Sequence, residues 1–322
     1  MVTYVSYDLE KATEMLLDKN NIFKWLTVIT LMHVSMCINF AYSETSQNKR
    51  NEPVSTTQSI QFTPVWPHGE IREVFKDVFF VTGTNKTRHE GKEIQTSRNM
   101  VIVRSGNELT LINTVRLDDK GLVELDRLGK VTHICRIGVF HGRDDAFYRS
   151  HYPTSQLWTI KGMTYDSGLK ADHVLTQGGD TPFPGCSFFL FETSKLPEGI
   201  LHIERDGGIL ISCDSIQNIT CTDDFYNVET AKSFHDGGLV KPANISPLWL
   251  GATGTKADDF QRLLKTIKFK HLITAHGEPL KDTASEQVAE TVKRVFPDSD
   301  HSPKSLIRST LGKIASYFRG LF

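Results

Sequence analysis

The chain has 322 residues, with 37 Lys and Arg against 38 Asp and Glu, so its formal net charge is −1. This near neutrality, without a basic run that interleaves aromatic residues, argues against a nucleic-acid partner. A hydrophobic share of 39% and a charged share of 23% are typical of a globular chain with one large core or two smaller ones. The five cysteines show no C-x-x-C spacing, which argues against a cysteine-based zinc site.

The N-terminal 43 residues have the pattern of an export signal. Lys24 precedes an uncharged, largely apolar run at 25–38, and Ala41 and Ser43 form a small-x-small exit. A run of about 14 residues is shorter than the roughly 20 that a membrane-spanning helix needs. The pattern predicts that residues 1–43 are a signal peptide and that the protein is exported, either periplasmic or secreted. The alternative is that this segment remains as an N-terminal membrane anchor.

Two further segments flank the predicted domain. Residues 44–70 are rich in Ser, Thr, Asn and Gln, which predicts a flexible linker. Residues 299–322 carry apolar residues at near-helical spacing together with lysine and arginine. This pattern predicts an amphipathic helix that makes a peripheral contact with a membrane surface. The alternative is a helix docked on the domain, or a frayed end.

The residues between these segments, 71–298, predict one folded α/β domain. Predicted strands cover 74–82, 99–104, 108–113, 131–140, 156–160, 188–192, 199–204, 207–213 and 270–275. Predicted helices cover 120–128, 147–152, 257–266 and 285–296. This order of hairpins and helices favours two packed sheets flanked by helices.

Three of the predicted strands are each followed directly by a histidine or an aspartate. These residues are His141, Asp214 and His276, and Asp145 lies four residues beyond the first of them. If the strands are neighbours in one sheet system, the four side chains converge at the carboxyl ends of the strands. Histidine and aspartate are the usual ligands of zinc, iron and manganese. The alternative is a set of polar turns without a shared role.

The order of these features resembles the metallo-β-lactamase superfamily, whose first motif is H-x-H-x-D-H. The corresponding stretch here, 141–146, reads H-G-R-D-D-A, so Arg143 and Ala146 occupy two of the ligand positions. Asp214 matches the bridging aspartate of the family, and His276 matches its last histidine. The motif is therefore degenerate in this chain.

The resemblance covers roughly residues 75–296. It implies an α/β fold of the four-layer αββα type for the domain at 71–298. A family segment like P-G-H-T-P-G corresponds to the stretch at 178–185, where Asp180 stands in the position of the histidine.

The resemblance also implies a reduced metal site. Asp145, Asp214 and His276 would bind one divalent metal ion, either zinc, iron or manganese, with His141 as a further ligand or as a partner of a ligand. The missing ligands and the fixed positive charge of Arg143 disfavour a second ion. Asp145 and Asp214 would be catalytic. The metal would supply hydroxide to hydrolyse an ester, amide, thioester or phosphoester, and Arg143 would bind an anionic group of the small-molecule substrate.

A second interpretation is a metal-free binding module on the same fold. Arg143 would then form ion pairs with Asp145 and Asp214, and the pocket would bind a ligand or a partner without hydrolysis.

In an oxidising compartment, Cys213 and Cys221 would also be able to close a small disulfide loop. Metal analysis of the purified protein distinguishes the metal-dependent hydrolase from the metal-free binding module.

Overall fold

The computed structural model of the chain describes residues 62–89 and 91–297. The predicted export segment at 1–43, the helix at 299–322 and most of the predicted linker lie outside the described residues. Within the described ranges, no helix is both long and apolar enough to cross a membrane.

A seven-stranded sheet forms the first half of the domain, with its strands in the spatial order β1 to β7. The strands are β1 (Arg72–Phe75), β2 (Val78–His89), β3 (Lys92–Ser105), β4 (Glu108–Ile112), β5 (Lys130–Cys135), β6 (Gln156–Ile160) and β7 (His173–Leu175). The first four strands pair antiparallel, and β4 to β7 pair parallel.

A second sheet of four strands has the order β13-β10-β9-β8, and two short strands form a separate pair. The strands are β8 (Cys186–Leu190), β9 (Gly199–Ile203), β10 (Ile209–Ser212), β11 (Gln217–Ile219), β12 (Lys241–Asn244) and β13 (His271–Thr274). β10 and β13 pair parallel, so their carboxyl ends lie at the same edge of the sheet.

Helices connect and cover the two sheets. Those among the described residues are α1 (Asp119–Leu128), α2 (Asp145–His151), α3 (Val228–Asp236), α4 (Pro247–Thr253), α5 (Ala257–Thr266) and α6 (Ala284–Val295). The N-cap side chain of α1, Asp118, accepts from the backbone N–H of Gly121 at 2.7 Å, and that of α3, Asn227, accepts from Thr230 at 2.8 Å. Such caps satisfy N–H groups that have no partner within the helix.

The two sheets pack face to face. Because successive residues of a strand point to opposite sides of its sheet, neighbouring residues join different cores. In β2, Phe80 joins the core between the sheets, which also holds Ile211 of β10. The neighbouring Phe79 instead joins a second core with Leu125 of α1. On the far side of the second sheet, Leu210 packs in a third core.

The third core also contains Phe260 of α5 and Val288 of α6. The layers are therefore helix, sheet, sheet and helix. The prediction of a four-layer αββα sandwich is confirmed.

The start of the domain differs from the prediction in two ways. Residues 62–70, which the sequence places in the linker, pack on the domain: the carbonyl of Pro67 accepts from the N–H of Thr84 at 2.9 Å, and the N–H of Gly69 donates to Thr82 at 2.8 Å. The predicted strand at 74–82 is two strands, because Asp77 turns the chain with a φ of 60°. A polar residue that tolerates a positive φ at this point allows β1 and β2 to pair as a hairpin.

The predicted strand at 131–140 is also too long. β5 ends at Cys135, and the chain then runs irregularly to a turn at which Phe140 is exposed. Beyond Cys135 the apolar run pairs briefly with the start of β9, where the N–H of Gly199 donates to the carbonyl oxygen of Ile137 at 2.9 Å. Ile137 is also fully buried between the sheets.

Candidate metal centre

The strand register brings Asp214 and His276 to one edge of the second sheet. Ser212 at the end of β10 lies opposite Thr274 at the end of β13. Each functional residue follows its strand by two positions, so the parallel pairing places them side by side. His141 lies on the loop that follows β5, a strand of the first sheet, and leads into α2. The centre therefore lies where the carboxyl ends of strands from the two sheets meet.

The carboxylate of Asp214 lies between two imidazole rings. Its Oδ1 is 3.1 Å from Nε2 of His276, and its Oδ2 is 3.4 Å from Nε2 of His141. The ring centroids of the two histidines are 5.3 Å apart. All three side chains are largely or fully buried. The structure therefore brings together three of the four predicted ligands, His141, Asp214 and His276.

The hydrogen bond on the other side of His276 sets its tautomer. Nδ1 of His276 is 2.9 Å from the carbonyl oxygen of Ser97. A carbonyl oxygen can only accept, so Nδ1 carries the hydrogen, and the lone pair of Nε2 in the neutral ring faces Asp214. Two acceptors at this distance need a cation, which can be a proton or a metal ion. An imidazole held by a carbonyl in this way is the usual arrangement of a metal-ligating histidine.

Asn99 of β3 fixes the loop that carries His276. Its side-chain amide donates to the carbonyl oxygens of Thr274 at 3.0 Å and Gly277 at 2.7 Å. Its backbone N–H donates to Ala275 at 2.9 Å. These bonds join the first sheet to the turn after β13, so the position of His276 depends on both sheets.

Electrostatics keep the two central groups in the forms that bind metal ions. Burial by itself would raise the pKa of Asp214, but the imidazoles of His141 and His276 outweigh it and lower that pKa well below its usual range. Burial also lowers the pKa of His141, and this effect outweighs the opposing influence of Asp214. An ionised carboxylate and a neutral imidazole are the ligating states of these groups.

Asp145, the other predicted ligand, is engaged by two hydroxyl groups. Its Oδ1 accepts from Oγ1 of Thr114 at 2.6 Å, and its Oδ2 accepts from the phenol of Tyr165 at 2.6 Å. The side chain is completely buried at the first residue of α2. The described residues whose potential ligand atoms converge as a group of three are His141, Cys213 and Asp214, and this group includes neither Asp145 nor His276.

A buried ion pair next to the centre was not predicted from the sequence. Arg98 of β3 and Asp144 form this pair, and Asp144 also accepts from the backbone N–H of Arg116 at 2.9 Å. Asp144 directly precedes Asp145, so the pair helps to hold the start of α2. Neither hydropathy pattern nor spacing distinguishes an arginine of this kind from an exposed strand residue.

The side chain of Arg143 is exposed and lies away from the predicted acids. Its Nη1 donates to the carbonyl oxygen of Lys86 at 2.9 Å, and its guanidinium carbon is 5.2 Å from the ring centroid of Trp66. In the part of the chain that the structure describes, it forms no ion pair with Asp145 or Asp214. The ion pairs expected for the metal-free interpretation are therefore wrong.

Two smaller predictions can also be compared with the structure. Asp180 is exposed, on the loop between β7 and β8. Cys213 is buried and Cys221 is exposed, and both are free, so the disulfide between them is not formed. Gln217 was not predicted, and its side-chain amide donates to Oδ1 of Asp214 at 3.4 Å.

The described elements define a four-layer α/β protein with a buried centre of two histidines and one aspartate. No family model matches the chain, and no curated protein sequence is significantly similar to it. Solved structures of metallo-β-lactamases are similar in fold, at low sequence identity.

The metallo-β-lactamase from Hirschia baltica is 13% identical over 69% of this chain and 97% of its own, with a TM-score of 0.45. DIM-1 metallo-β-lactamase exposed to ceftazidime is 12% identical over 71% and 98%, with a TM-score of 0.48. The mono-zinc form of FIM-1 from Pseudomonas aeruginosa is 12% identical over 72% and 97%, with a TM-score of 0.47. The assignment of the fold rests on the sheet order and the three cores described above.

Proposed function

We propose that the protein is a metal-dependent hydrolase that uses one divalent metal ion, bound by His141, Asp214 and His276. Its substrate would be a small molecule with an ester, amide, thioester or phosphoester bond. The observation that carries this proposal is the position of Asp214 between two imidazole nitrogens. Nε2 of His276 can present a lone pair towards the carboxylate, because its Nδ1 is held by the carbonyl of Ser97.

These residues fit a metal ion in both chemistry and charge. Two imidazoles and one carboxylate form a three-ligand set of the kind found at catalytic zinc sites, and iron or manganese accept the same donors. A divalent ion bound there would act as a Lewis acid and lower the pKa of a coordinated water. The carboxylate of Asp214 offsets part of the charge of the ion, and the buried surroundings exclude competing bulk water.

One metal ion is expected rather than two. Two ligand positions of the family motif are Arg143 and Ala146, neither of which binds metal ions. Both oxygens of Asp145 accept a short hydrogen bond from a hydroxyl group. Asp145 remains a predicted ligand and catalytic residue, since a carboxylate oxygen that accepts one hydrogen bond keeps a second lone pair.

Substrate recognition is proposed for the loop that carries His141. Arg143 uses Nη1 for the carbonyl of Lys86, and its exposed guanidinium has further N–H groups for an anionic group of the substrate. Phe140, which is 52% exposed on the same loop, offers an apolar contact. Export through residues 1–43 and membrane contact through residues 299–322 are also proposed, on sequence patterns outside the described residues.

Elemental analysis of protein purified without chelators tests the proposal. The wild type is expected to carry one divalent metal ion per chain, and Asp214→Asn should lose both the ion and the hydrolytic activity, because an amide is a poor metal ligand. Asp180→Asn is the matched control, since this exposed aspartate occupies a family ligand position only in the sequence comparison. It should keep the ion.

The contrary result would be a wild type without metal whose stability is unchanged or improved by Asp214→Asn. The fold would then serve as a metal-free binding module.

A further inference from the structure

Glu198, directly before β9, is a carboxylate whose side chain is completely buried. It lies between the loop that carries His141 and the turn that carries Asp214. A carboxylate is costly to bury, whereas an apolar residue at the same place is not. The hydrogen bonds of Glu198 are therefore the feature that distinguishes it from the apolar residues around it.

The backbone at Glu198 pairs with the loop that leads to His141. Gly138 and Glu198 form an antiparallel bridge, and the N–H of Gly199 donates to the carbonyl oxygen of Ile137 at 2.9 Å. The carbonyl oxygen of Gly138 in turn accepts from the N–H of His141 at 3.2 Å. The start of β9 thus holds the segment that ends at His141.

The side chain of Glu198 holds the turn that carries Asp214. Its Oε1 accepts from the backbone N–H of Ser215, the residue that directly follows Asp214. Ser215 is completely buried, so its N–H needs an acceptor within the protein. The carboxylate of Glu198 supplies that acceptor and fixes the backbone next to Asp214.

The other oxygen of the carboxylate lies against the loop of His141. A Cβ atom added to Gly138 would lie 3.3 Å from Oε2 of Glu198. Oε2 has no hydrogen-bond partner among the described residues. The bond that Glu198 makes to the turn therefore comes from Oε1, and an amide oxygen at this place would accept the same bond.

We infer that Glu198 is a positioning residue, which sets Asp214 relative to His141 for the metal ion of the proposed site. This inference rests on the proposed function. Glu198 holds one segment through its backbone and the other through its side chain. Loss of the side-chain bond would release the turn and change the distance of 3.4 Å between Nε2 of His141 and Oδ2 of Asp214. The alternative is a carboxylate that stabilises the fold without affecting the ion.

Cobalt titration of the metal-free full-length protein, followed by visible absorption, tests this inference. The visible bands of bound Co²⁺ report the geometry of its ligands. Glu198→Gln keeps an oxygen acceptor on a side chain of the same length, so it should bind cobalt with the affinity and bands of the wild type. Glu198→Leu removes the acceptor, so it should bind cobalt about ten- to a hundredfold more weakly and with shifted bands.

Asp259→Leu is the matched control. Asp259 of α5 is also a buried carboxylate that accepts from backbone N–H groups, those of Glu192 at 3.1 Å and Thr193 at 2.8 Å, on the loop after β8. Its loss should lower the temperature of thermal unfolding and leave the affinity for cobalt unchanged. If Glu198→Leu fails to fold, Glu198→Asp replaces it, because the shorter side chain draws the acceptor back from Ser215. It should also weaken the binding of cobalt.

Three results would contradict the role of Glu198. If removal or withdrawal of the acceptor leaves the cobalt affinity as high as in Asp259→Leu, Glu198 only stabilises the fold and the proposed function stands. If Glu198→Gln loses as much affinity as Glu198→Leu, the acceptor for Ser215 is not what matters. Wild-type protein that binds no cobalt overturns the proposed function together with this inference.

Discussion

Asp145 matches the aspartate of the H-x-H-x-D-H motif, and in the structure hydroxyl groups hold its carboxylate. Its two oxygens accept from the hydroxyls of Thr114 and Tyr165. Burial and the neighbouring carboxylate of Asp145 raise the pKa of Tyr165 far above its usual value, so the phenol stays a donor. These bonds hold the start of α2 directly after the loop of His141.

Tyr165→Phe should therefore lower the free energy of unfolding by about 1–3 kcal/mol, the cost of leaving a buried charged acceptor without its donor. Urea denaturation of the metal-free protein measures this effect. Tyr152→Phe is the control, because its hydroxyl donates to an exposed carboxylate, that of Asp126. It should change stability by less than about 0.5 kcal/mol. Equal effects of the two variants would show that Asp145 does not depend on Tyr165.

Among single residues, the sequence identified those at strand ends and missed those in the core. His141, Asp214 and His276 could be predicted because a polar residue directly after an apolar run is visible in a sequence. Cys213 could not, because a cysteine at the end of a buried strand has the same pattern whether or not it faces a site. Only the folded structure shows that its sulfur lies next to Gly138 and Asp214.

Some elements around the centre were predicted with their observed bounds, and others were missed. β6 and α5 have the predicted bounds, and the hairpin of β3 and β4 is confirmed. β7 has three residues, too few for a period to be detected. α3 was missed because it buries only Thr230, so it lacks the apolar stripe by which a helix is recognised.

The turn after β13 holds His276 through an unusual backbone geometry at Gly277. This residue has a φ of 90°, and an added Cβ would overlap the carbonyl oxygen of Asn218. The turn can therefore form only with glycine at this position.

Gly277→Ala should destabilise the fold by about 1–3 kcal/mol or more, from strained backbone and the overlap together. The proposed metal affinity should fall as well, because His276 would move. Gly251→Ala in α4 is the matched control, since an added Cβ there meets nothing within 4 Å. It should be neutral or stabilising by up to about 1 kcal/mol. Thermal unfolding of both variants, with and without zinc, gives the comparison, and an undisturbed Gly277→Ala would contradict this account of the turn.

At the scale of the whole molecule, the centre joins the two sheets. His141 comes from the first sheet, whereas Asp214 and His276 come from the second. The core between the sheets keeps these edges together, and Asn99 links them by hydrogen bonds. The layers could be predicted from alternating strands and helices, but the meeting of the edges could not, because it depends on how one sheet lies on the other.

Anomalous X-ray diffraction from crystals of the purified protein, recorded at the absorption edge of the bound metal, tests the central claim most directly. The account predicts one peak at the centre, about 2.0–2.3 Å from a carboxylate oxygen of Asp214 and from the Nε2 atoms of His141 and His276. No peak at this position, or two peaks there, would contradict a single-metal centre.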